Sequence, residues 1–225
     1  MAAVSRPRAA LSWSSGKDCA FALHEVRQSG AVEVVAALTT TNEAHDRVAM
    51  HGTRNALLHR QVAAMGLELI DVPLPWPCSN ADYEARMETA LAALKARGIT
   101  QMVFGDLFLE DVRAYREAQL ADTGITPIFP LWGRDTATLA REMIAAGFEA
   151  RIATLDPSKV PADLAGRRFD AAFLDALPEG VDPCGERGEF HTAVTAGPIF
   201  SAPIEVEMGE VVTRDGFVYA DLAPR

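Results

Sequence analysis

Residues 11–19, LSWSSGKDC, join an apolar run to an amphipathic segment through a turn of small residues. The run 9–13 predicts a short strand, and apolar residues that recur at helical spacing from Cys19 to Val26 predict a helix with one buried face. A strand that turns into a helix at such a loop presents free backbone N–H groups and the positive end of the helix dipole. The stretch therefore predicts a phosphate site, to which Lys17 would add a charge. The alternative is a capped helix that binds nothing.

The loop departs from the Walker A pattern G-x-x-x-x-G-K-[ST], because Leu11 replaces its first glycine and Asp18 replaces its magnesium-binding hydroxyl residue. It resembles instead the S-G-G-K-D-S loop of the N-type ATP pyrophosphatases, which cleave ATP between the α and β phosphates. Ser15 stands in place of the first glycine, which the loop tolerates if the φ angle of Ser15 is negative. Cys19 replaces the last serine and removes one hydroxyl donor to the pyrophosphate.

The composition is that of an ordinary globular protein of 225 residues, of which 49% are apolar and 23% are charged. A net charge of −10 argues against nucleic-acid binding, which needs clustered lysine and arginine. The three cysteines lack the C-x-x-C spacing of a metal site and give no disulfide framework. No apolar leader or segment of membrane length is visible, so we expect a cytoplasmic protein that does not bind membranes.

Strand-like and helix-like segments alternate through the first two thirds of the chain. Strands are predicted at 9–13, 32–40, 67–74, 101–104 and 126–131, and further helices at 52–65, 79–97 and 109–121. This alternation predicts an α/β fold, with a mostly parallel sheet and helices on both of its faces. The pattern then changes to a helix, a strand, a short helix and a hairpin, at 135–146, 148–154, 169–177 and 204–222. We therefore expect a domain of residues 8–133 and a smaller α+β domain of residues 134–225.

Ligands of parallel α/β sheets bind beyond the carboxyl ends of the strands. The predicted register places there three groups of small or polar residues, which are Ser14, Ser15 and Gly16; Thr39, Thr40 and Thr41; and Gly105 and Asp106. The next residues after the first group, Lys17, Asp18 and Cys19, are further candidates for nucleotide binding. A glycine–aspartate pair at a strand end can lie close to a nucleotide and supply a carboxylate for magnesium. We expect these residues to form a nucleotide site, with Asp18 and Asp106 as the metal ligands.

The late stretch 183–192, PCGERGEFHT, is a dense polar loop that precedes an extended segment. Core packing does not require such a composition, so the loop is a candidate for recognition of a polar substrate. Arg187 would pair with a carboxylate, and Glu189 or His191 would move protons. The alternative is a surface turn whose charges only keep the loop soluble.

Two weaker candidates lie elsewhere in the chain. The helix that follows Asp106 carries a cluster of polar residues, for which an ordinary solvated helix face is the alternative. The members of that cluster are Asp111, Arg113, Tyr115 and Arg116. The segment 45–52 could cover the nucleotide with His51 near the phosphates, although a single histidine beside a glycine is more often structural.

Three motifs together resemble the diphthine–ammonia ligase family, namely S-x-G-K-D near the N-terminus, G-D-x-x-x-x-D-V-R-x-Y-R-E in the middle and G-E-x-G-E-F-H-T late. The resemblance runs from Leu11 to about Thr195, and the late motif is its most specific part. It implies an N-terminal ATP-binding domain of the HUP, or Rossmann-like, type and a smaller C-terminal domain that helps to form the substrate cleft. It also implies ATP and Mg²⁺ as cofactors.

The chemistry that the resemblance implies is that of an ATP-dependent, AMP-forming amide ligase. In the family, a carboxylate of diphthine on elongation factor 2 is joined to AMP, pyrophosphate leaves, and ammonia then displaces AMP. The implied catalytic residues are Lys17, Asp18, Glu189 and His191. The implied substrate-binding residues are Asp111, Arg113, Tyr115, Arg116, Glu186, Arg187, Gly188, Glu189, Phe190, His191 and Thr192.

Two alternative functions remain open at this point. A sulfur transferase of the same superfamily would use Cys78 and Cys184, although the acidic charge counts against a tRNA substrate. A nucleotide sensor of HUP fold would bind ATP without turnover and would not need the late loop. Diphthamide belongs to archaea and eukaryotes, so a bacterial source would require a different carboxylate substrate. A homodimer is compatible with the sequence.

Overall fold

The computed structural model describes residues 6–225, and the first half of the chain is built on a six-stranded sheet. Its elements are β1 (Arg8–Ser12), α1 (Lys17–Ser29), β2 (Glu33–Asn42), β3 (Arg47–Val48), α2 (Asn55–Met65), β4 (Glu68–Leu74), α3 (Asn80–Ala96), β5 (Ile99–Val103), α4 (Glu110–Leu120) and β6 (Thr126–Ile128). The strands lie in the order β3-β2-β1-β5-β6, with β4 also paired to β2. All pairs are parallel except that of β2 with the two-residue β3. The predicted mostly parallel α/β sheet is therefore confirmed.

Apolar side chains of this sheet pack into two separate clusters, one on each face. Leu11 of β1 packs into a cluster that contains Leu23 of α1 and Val62 of α2. Ala10, one residue earlier, packs into a second cluster with Leu91 of α3. Neighbouring side chains of a strand point to opposite sides of a sheet, so the two clusters show that helices cover both faces, as predicted.

The second half of the chain forms an antiparallel sheet of four strands. Its elements are α5 (Thr136–Ala145), β7 (Glu149–Leu155), a 3₁₀ turn (Ala162–Leu164), α6 (Ala171–Asp175), β8 (Phe190–Ala196), β9 (Val206–Arg214) and β10 (Phe217–Pro224). The strands lie in the order β8-β7-β10-β9. Buried residues of both halves share one cluster, in which the ring centroids of Phe148 and Phe21 lie 5.6 Å apart. The α+β character expected for this part is confirmed, and the shared core packs the two sheets together.

Three helix ends lie at capping residues that the sequence indicates. The side chain of Ser79 accepts a backbone hydrogen bond at the start of α3, and Asp135 does the same at the start of α5. Gly66 ends α2 in the left-handed conformation. The helix α3 has 17 residues, and no helix within residues 6–225 is both long and apolar enough to cross a membrane.

Two boundaries differ from the prediction by three residues each, at the start of α2 and the end of β6. The helix α2 begins at Asn55 instead of residue 52, because β3 and the turn that follows it occupy the preceding residues, where Val48 N donates to Thr53 O at 2.8 Å. The strand β6 ends at Ile128 instead of residue 131, since the chain turns there and Trp132 N donates to Phe129 O at 3.3 Å. In both places a local turn sets the boundary, whereas the pattern of apolar residues alone would make the element longer.

Candidate active site

The turn between β1 and α1 is held by contacts to α2 and β8. The carbonyl oxygen of Ser15 accepts a hydrogen bond from Val194 N at 2.9 Å and one from Gln61 Nε2 at 3.4 Å. Ser15 has a φ of +72°, so the condition under which a serine would be tolerated at this position, a negative φ, is not met. A left-handed conformation costs a residue with a Cβ about 1–2 kcal/mol, which the hydrogen bonds to its carbonyl offset in part. The turn thus has a backbone suited to glycine, although a serine occupies it.

The end of β5 approaches the start of α1 so closely that only a glycine fits. A Cβ atom added to Gly105 would lie 2.6 Å from Cys19 N and 2.8 Å from the carbonyl carbon of Asp18. Backbone atoms cannot move aside as a flexible side chain can, so the close approach requires Gly105. The contact places Asp106, the next residue, at the same end of α1 as Asp18.

Lys17 is 2% exposed, and its ammonium group is enclosed by polar and aromatic groups. Nζ donates to Asp18 Oδ2 at 2.9 Å and to the carbonyl oxygen of Cys184. The ring centroids of Phe169 and Phe190 lie 5.2 and 5.3 Å from Nζ, a cation–π arrangement. Burial acts to lower the pKa of Lys17, but Asp18 and other nearby acidic groups outweigh it and raise the pKa above its usual value. The ammonium group is therefore charged at neutral pH and fixed at the start of α1.

The late loop packs against α1 and the end of β5 and is not a surface turn. Thr192 Oγ1 accepts a hydrogen bond from the backbone N of Lys17 at 3.0 Å. Glu186 Oε1 accepts one from the backbone N of Leu107 at 2.8 Å. The structure therefore brings all three sequence motifs together at the carboxyl edge of the parallel sheet.

Asp182, which the sequence reasoning missed, organises the late loop from within. Its backbone N donates to Glu189 Oε1 at 3.2 Å, and its Oδ2 accepts from Glu186 N at 2.8 Å. Glu189 is 3% exposed, and its Oε2 has no hydrogen-bond partner among residues 6–225. Gly185 has a φ of +73°, and a Cβ there would lie 2.7 Å from Phe190 O. The loop therefore has a fixed shape that depends on a glycine and a buried aspartate.

Three carboxyl groups at this junction have raised pKa values. Burial raises the pKa of Asp18, and the charge and hydrogen bond of Lys17 oppose the shift. Burial raises the pKa of Glu186 to about 7, the charges of Asp18 and Asp106 raise it further, and the hydrogen bond from Leu107 opposes the shift. Burial also raises the pKa of Asp106, and the positive charge of Arg116, whose Nε lies 3.8 Å from Asp106 Oδ2, opposes it. A cation bound beside the start of α1 would favour the ionised form of these buried carboxyl groups.

The predicted metal ligands, Asp18 and Asp106, supply only some of the oxygen atoms that a bound cation needs. Asp18 Oδ1 is buried and has no hydrogen-bond partner among the described residues, so it is free to bind a cation. Within residues 6–225, no three or more histidine, cysteine, aspartate or glutamate side chains are grouped as a metal site. A cation held by Asp18 and Asp106 would take its other ligands from phosphate oxygens and water, as Mg²⁺ commonly does.

His51 lies beside His191 and within the electrostatic influence of Lys17. The two imidazole centroids are 4.4 Å apart, and the rings are tilted by 46°. Burial and the charge of Lys17 lower the pKa of His191 to about 4, and burial, His191 and Lys17 together lower the pKa of His51. Both imidazoles are therefore neutral at neutral pH. The expectation that His51 lies near the phosphates of a bound nucleotide stays a prediction.

The remaining nucleotide candidates line the same edge of the sheet. Ser14 Oγ lies 3.3 Å from Cys19 Sγ, which donates to Gly16 O at 3.1 Å. Burial raises the pKa of Cys19 to about 11, so this side chain is a protonated thiol that acts as a local donor. Thr39 Oγ1 is buried and lacks a partner in the described part of the chain, and Thr40 is half-buried.

The α4 candidates point in different directions. Arg116 faces the site through its ion pair with the carboxylate at the end of β5. The guanidinium of Arg113 lies 4.8 Å from the ring centroid of Trp132. Two members are exposed, Asp111 and Tyr115. Tyr115 lines a groove of about 630 Å³ between α3 and α4 and not the turn before α1.

The other late-loop candidates differ in exposure. Arg187 is exposed, and its guanidinium lies 5.2 Å from the ring centroid of Phe108. Phe190 is 1% exposed and contributes to the core and to the enclosure of the lysine. Gly188 has a φ of +76° and turns the chain between them. Arg187 is therefore the member of this group that an incoming substrate can reach.

The two cysteines of the sulfur-transfer alternative lie on opposite faces of the parallel sheet. Cys78 packs against the cluster that contains Ala10, whereas Cys184 belongs to the cluster that contains Leu11. Burial raises the pKa of the Cys184 thiol, although the charge of Lys17 opposes the shift. A sheet between the two thiols and a protonated Cys184 both count against a sulfur relay.

Two further residues that sequence reasoning missed are Gln61 and Phe169. Gln61 is fully buried and donates from Nε2 to Val194 O at 2.8 Å, which ties α2 to β8. An amide on the buried face of an otherwise apolar helix is a signal that could have identified it. Phe169 gave no such signal, because an aromatic residue beside a helix is ordinarily a core residue.

The structure defines an α/β protein of two packed sheets, with a turn and a buried lysine after the first parallel strand and a polar loop from the antiparallel half beside them. Comparison with known families makes this more specific. Residues 7–126 match the diphthamide synthase N-terminal domain, and residues 135–221 match the diphthamide synthase C-terminal domain. The chain belongs to the diphthamide synthase family.

Curated relatives include proteins named diphthine–ammonia ligase. The rat protein (Rattus norvegicus) is 33% identical over 151 residues, which are 65% of this chain and 57% of the relative. The bovine protein (Bos taurus) is 26% identical over 160 residues, 67% and 58% of the two chains, and the human protein (Homo sapiens) is 33% identical over 108 residues, 44% and 39%. The match thus spans little more than half of the rat and bovine chains.

A solved structure described as a predicted subunit of tRNA methyltransferase from Methanocaldococcus jannaschii is also similar. It covers 65% of this chain and 78% of its own, with a TM-score of 0.43 and 15% sequence identity. A similarity this distant does not indicate a function.

Proposed function

We propose that this protein is an ATP-dependent, AMP-forming amide ligase of the diphthine–ammonia ligase type. Its substrate is a carboxylate, with diphthine of elongation factor 2 as the first candidate, and its nucleophile is ammonia. The observation that carries the proposal is the hydrogen bond from Lys17 N to Thr192 Oγ1 at 3.0 Å. This bond joins the turn of pyrophosphate-loop type to the loop that is most specific to the family. The names of the curated relatives support the same reaction.

The start of α1 would bind the phosphate chain of ATP. The first N–H groups of a helix have no acceptor within the helix and favour anions. Ser15 Oγ is buried and has no partner among residues 6–225, so its hydroxyl can donate to a phosphate oxygen. Asp18 and the Cys184 carbonyl already fix the ammonium group of Lys17. The group would therefore stabilise the charge of the departing pyrophosphate without reorganising.

A carboxylate needs activation before ammonia can convert it to an amide, because its oxygen is a poor leaving group. ATP supplies that activation by turning the carboxylate into a mixed anhydride with AMP. Asp18 and Asp106 would hold the Mg²⁺ ion that shields the phosphate charge, and their carboxylate oxygens are ligands that this ion prefers. Arg116 would keep Asp106 ionised for that purpose, since its Nε lies 3.8 Å from the carboxylate.

The late loop would hold the carboxylate substrate. Arg187 is exposed and can form an ion pair with an acidic group of the incoming protein. Glu189 Oε2 is buried and can accept a hydrogen bond from a substrate N–H or O–H group. His191 is neutral and can accept a proton during the reaction.

ATP labelled at the α-phosphate tests this function. The protein is incubated with Mg²⁺, ammonium and elongation factor 2 that carries diphthine, and AMP is separated from ADP. We expect AMP and pyrophosphate to form only when the factor is present. We also expect Thr192→Val to lower the rate about tenfold or more, since it removes the hydroxyl that joins the loop to α1.

Thr213→Val is the matched control, because Thr213 is exposed on the edge strand β9 and should leave the rate unchanged. Formation of ADP, or of AMP without the factor, would contradict the proposal. Tight binding of ATP with neither product would indicate a nucleotide sensor instead.

A further inference from the structure

His51 is a partly buried group at the site to which the proposed function assigns no role. It lies on the segment 43–54, between β2 and α2, and its ring is 4.4 Å from that of His191. His51 Nδ1 is buried and has no hydrogen-bond partner among the described residues. A buried ring nitrogen without a partner is costly unless something that binds there pairs with it. The site beside His51 Nδ1 therefore suits a small ligand that can donate hydrogen bonds.

Contacts on both sides of His51 fix the segment 43–54 to the second sheet. Thr154 Oγ1 on β7 donates to the carbonyl oxygen of His51 at 2.9 Å. Asp221 on β10 accepts from Arg47 Nη2 at 3.0 Å and from Arg54 Nε at 2.7 Å. The position of the imidazole is thus set by the fold, and the segment is not a free loop.

The groups that face the two imidazoles favour a neutral ligand over a cation. Besides burial, the positive charge of Lys17 lowers the pKa of both imidazoles and therefore acts at both rings, and burial removes water that would screen it. An ammonium ion would be repelled there, whereas ammonia would not. A neutral imidazole has one ring nitrogen with a free lone pair, which can accept a hydrogen bond from an N–H group of ammonia.

We propose that His51 and His191 form the ammonia site, in which His51 orients ammonia and accepts the proton that the reaction releases. This inference rests on the proposed function. The nitrogen lone pair forms the C–N bond to the activated carbonyl carbon, and the bond from that carbon to the AMP oxygen breaks. AMP leaves with the electron pair, one proton moves from nitrogen to the imidazole of His51, and that proton then passes to solvent.

The test compares two nucleophiles and two halves of the reaction in His51→Gln. ATP–pyrophosphate exchange with diphthine-bearing elongation factor 2, measured without an amine, reports activation of the carboxylate. Amide formation from ammonia is then compared with hydroxamate formation from hydroxylamine. Hydroxylamine is largely the free base near neutral pH, and its adduct loses a proton to water readily, so it needs little help from a base.

We expect His51→Gln to lower amide formation from ammonia about 100-fold, the usual effect of losing a positioned base, and to change exchange and hydroxamate formation by less than about threefold. His45→Gln is the control, because His45 is exposed on the same segment and should change none of these rates. The same rates are measured for a second variant, His51→Asn, which provides the comparison if His51→Gln fails to fold.

An equal loss with both nucleophiles, or a loss of exchange, would overturn the assignment, because a merely structural residue would act on every step. An unchanged rate with ammonia would also overturn it. Absence of exchange in the unmodified protein would instead overturn the proposed function, and the ammonia site with it.

Discussion

Lys17 shows at the scale of one residue how neighbours keep a buried group charged. Its ammonium group is held by Asp18, a carbonyl oxygen and two phenyl rings, which together compensate for the loss of water. The sequence predicted the lysine and the aspartate, since both belong to a local motif. It gave Phe190 only as a substrate-binding candidate and did not give Phe169. The contact of both rings with Lys17 could not be predicted, because they come from the other half of the chain and reach Lys17 only through tertiary packing.

Ser15→Gly should stabilise the protein by up to about 1 kcal/mol. Glycine adopts the φ of +72° without the Cβ penalty that serine bears, although a more flexible unfolded chain takes back part of the gain. Urea unfolding measures the difference. Ser14→Gly is the control and should give no gain, since the positive φ is confined to its neighbour. Equal effects of both changes would refute the argument from strain.

The lowered pKa of His191 should make the free energy of unfolding depend on pH between about 4 and 6.5. Its pKa is lower in the folded protein, so the unfolded chain binds more protons in this range and the free energy of unfolding rises with pH. The neutral His191 imidazole contributes to the free energy of unfolding above about pH 6.5, and this contribution is lost as the pH falls toward about 4. Its upper limit is on the order of 3 kcal/mol.

Unfolding of His191→Gln across the same range isolates this contribution. The pKa of Glu186 is raised to about 7, and Glu186 therefore has the opposite effect over part of the range. For this reason the difference between the two proteins is the informative quantity. A difference that does not change with pH would show that His191 is not buried as a neutral imidazole.

At the scale of elements, hydrophobic periodicity predicted the parallel strands and the helices of both halves, because those elements bury one regular face or a short apolar run. Hydrogen bonds outside the regular helices and strands set the local features that periodicity could not predict. The two-residue β3 has no pattern of its own, and the left-handed backbone of Ser15 depends on bonds from Val194 and Gln61. The glycine at the end of β5 was predicted as a site residue, but its role in packing against α1 was visible only in the structure.

Gly105→Ala should destabilise the protein by about 1–3 kcal/mol and weaken ATP binding, because the new Cβ would overlap backbone atoms of α1. Thermal unfolding and nucleotide titration measure the two effects. Gly147→Ala serves as the control, since a Cβ there meets no atom within 4 Å and reports only the cost of its φ of +84°. If Gly105→Ala bound ATP normally, the close approach of β5 to α1 would not matter for the nucleotide site.

The whole molecule joins residues that are far apart in sequence into one site. The turn before α1, the segment after β5 and the late loop meet through the Lys17–Thr192 and Leu107–Glu186 hydrogen bonds. The resemblance to the family predicted that these three segments act together. The sequence of each segment could not predict how far apart their side chains lie. The α4 candidates show the limit of that reasoning, since Arg116 reaches the site and Tyr115 faces α3.

Asp221→Asn should loosen the segment 43–54 from the second sheet. Asp221 pairs with Arg47 and Arg54, both partly exposed, so the loss in stability should be only about 1 kcal/mol. Because the segment carries His51, the rate with ammonia should fall more than ATP–pyrophosphate exchange. Asp215→Asn, at the exposed tip of the β9–β10 hairpin, is the control for both measurements. An equal fall in the two rates would contradict the link.

The most direct test of the central claim follows the nitrogen atom. The protein is supplied with isotopically labelled ammonium, ATP, Mg²⁺ and diphthine-bearing elongation factor 2, and mass spectrometry counts the label in the factor while AMP is measured in parallel. We predict one labelled nitrogen in the factor for each AMP formed. AMP without incorporated label, or label incorporated with ADP as the product, would contradict an AMP-forming amide ligase.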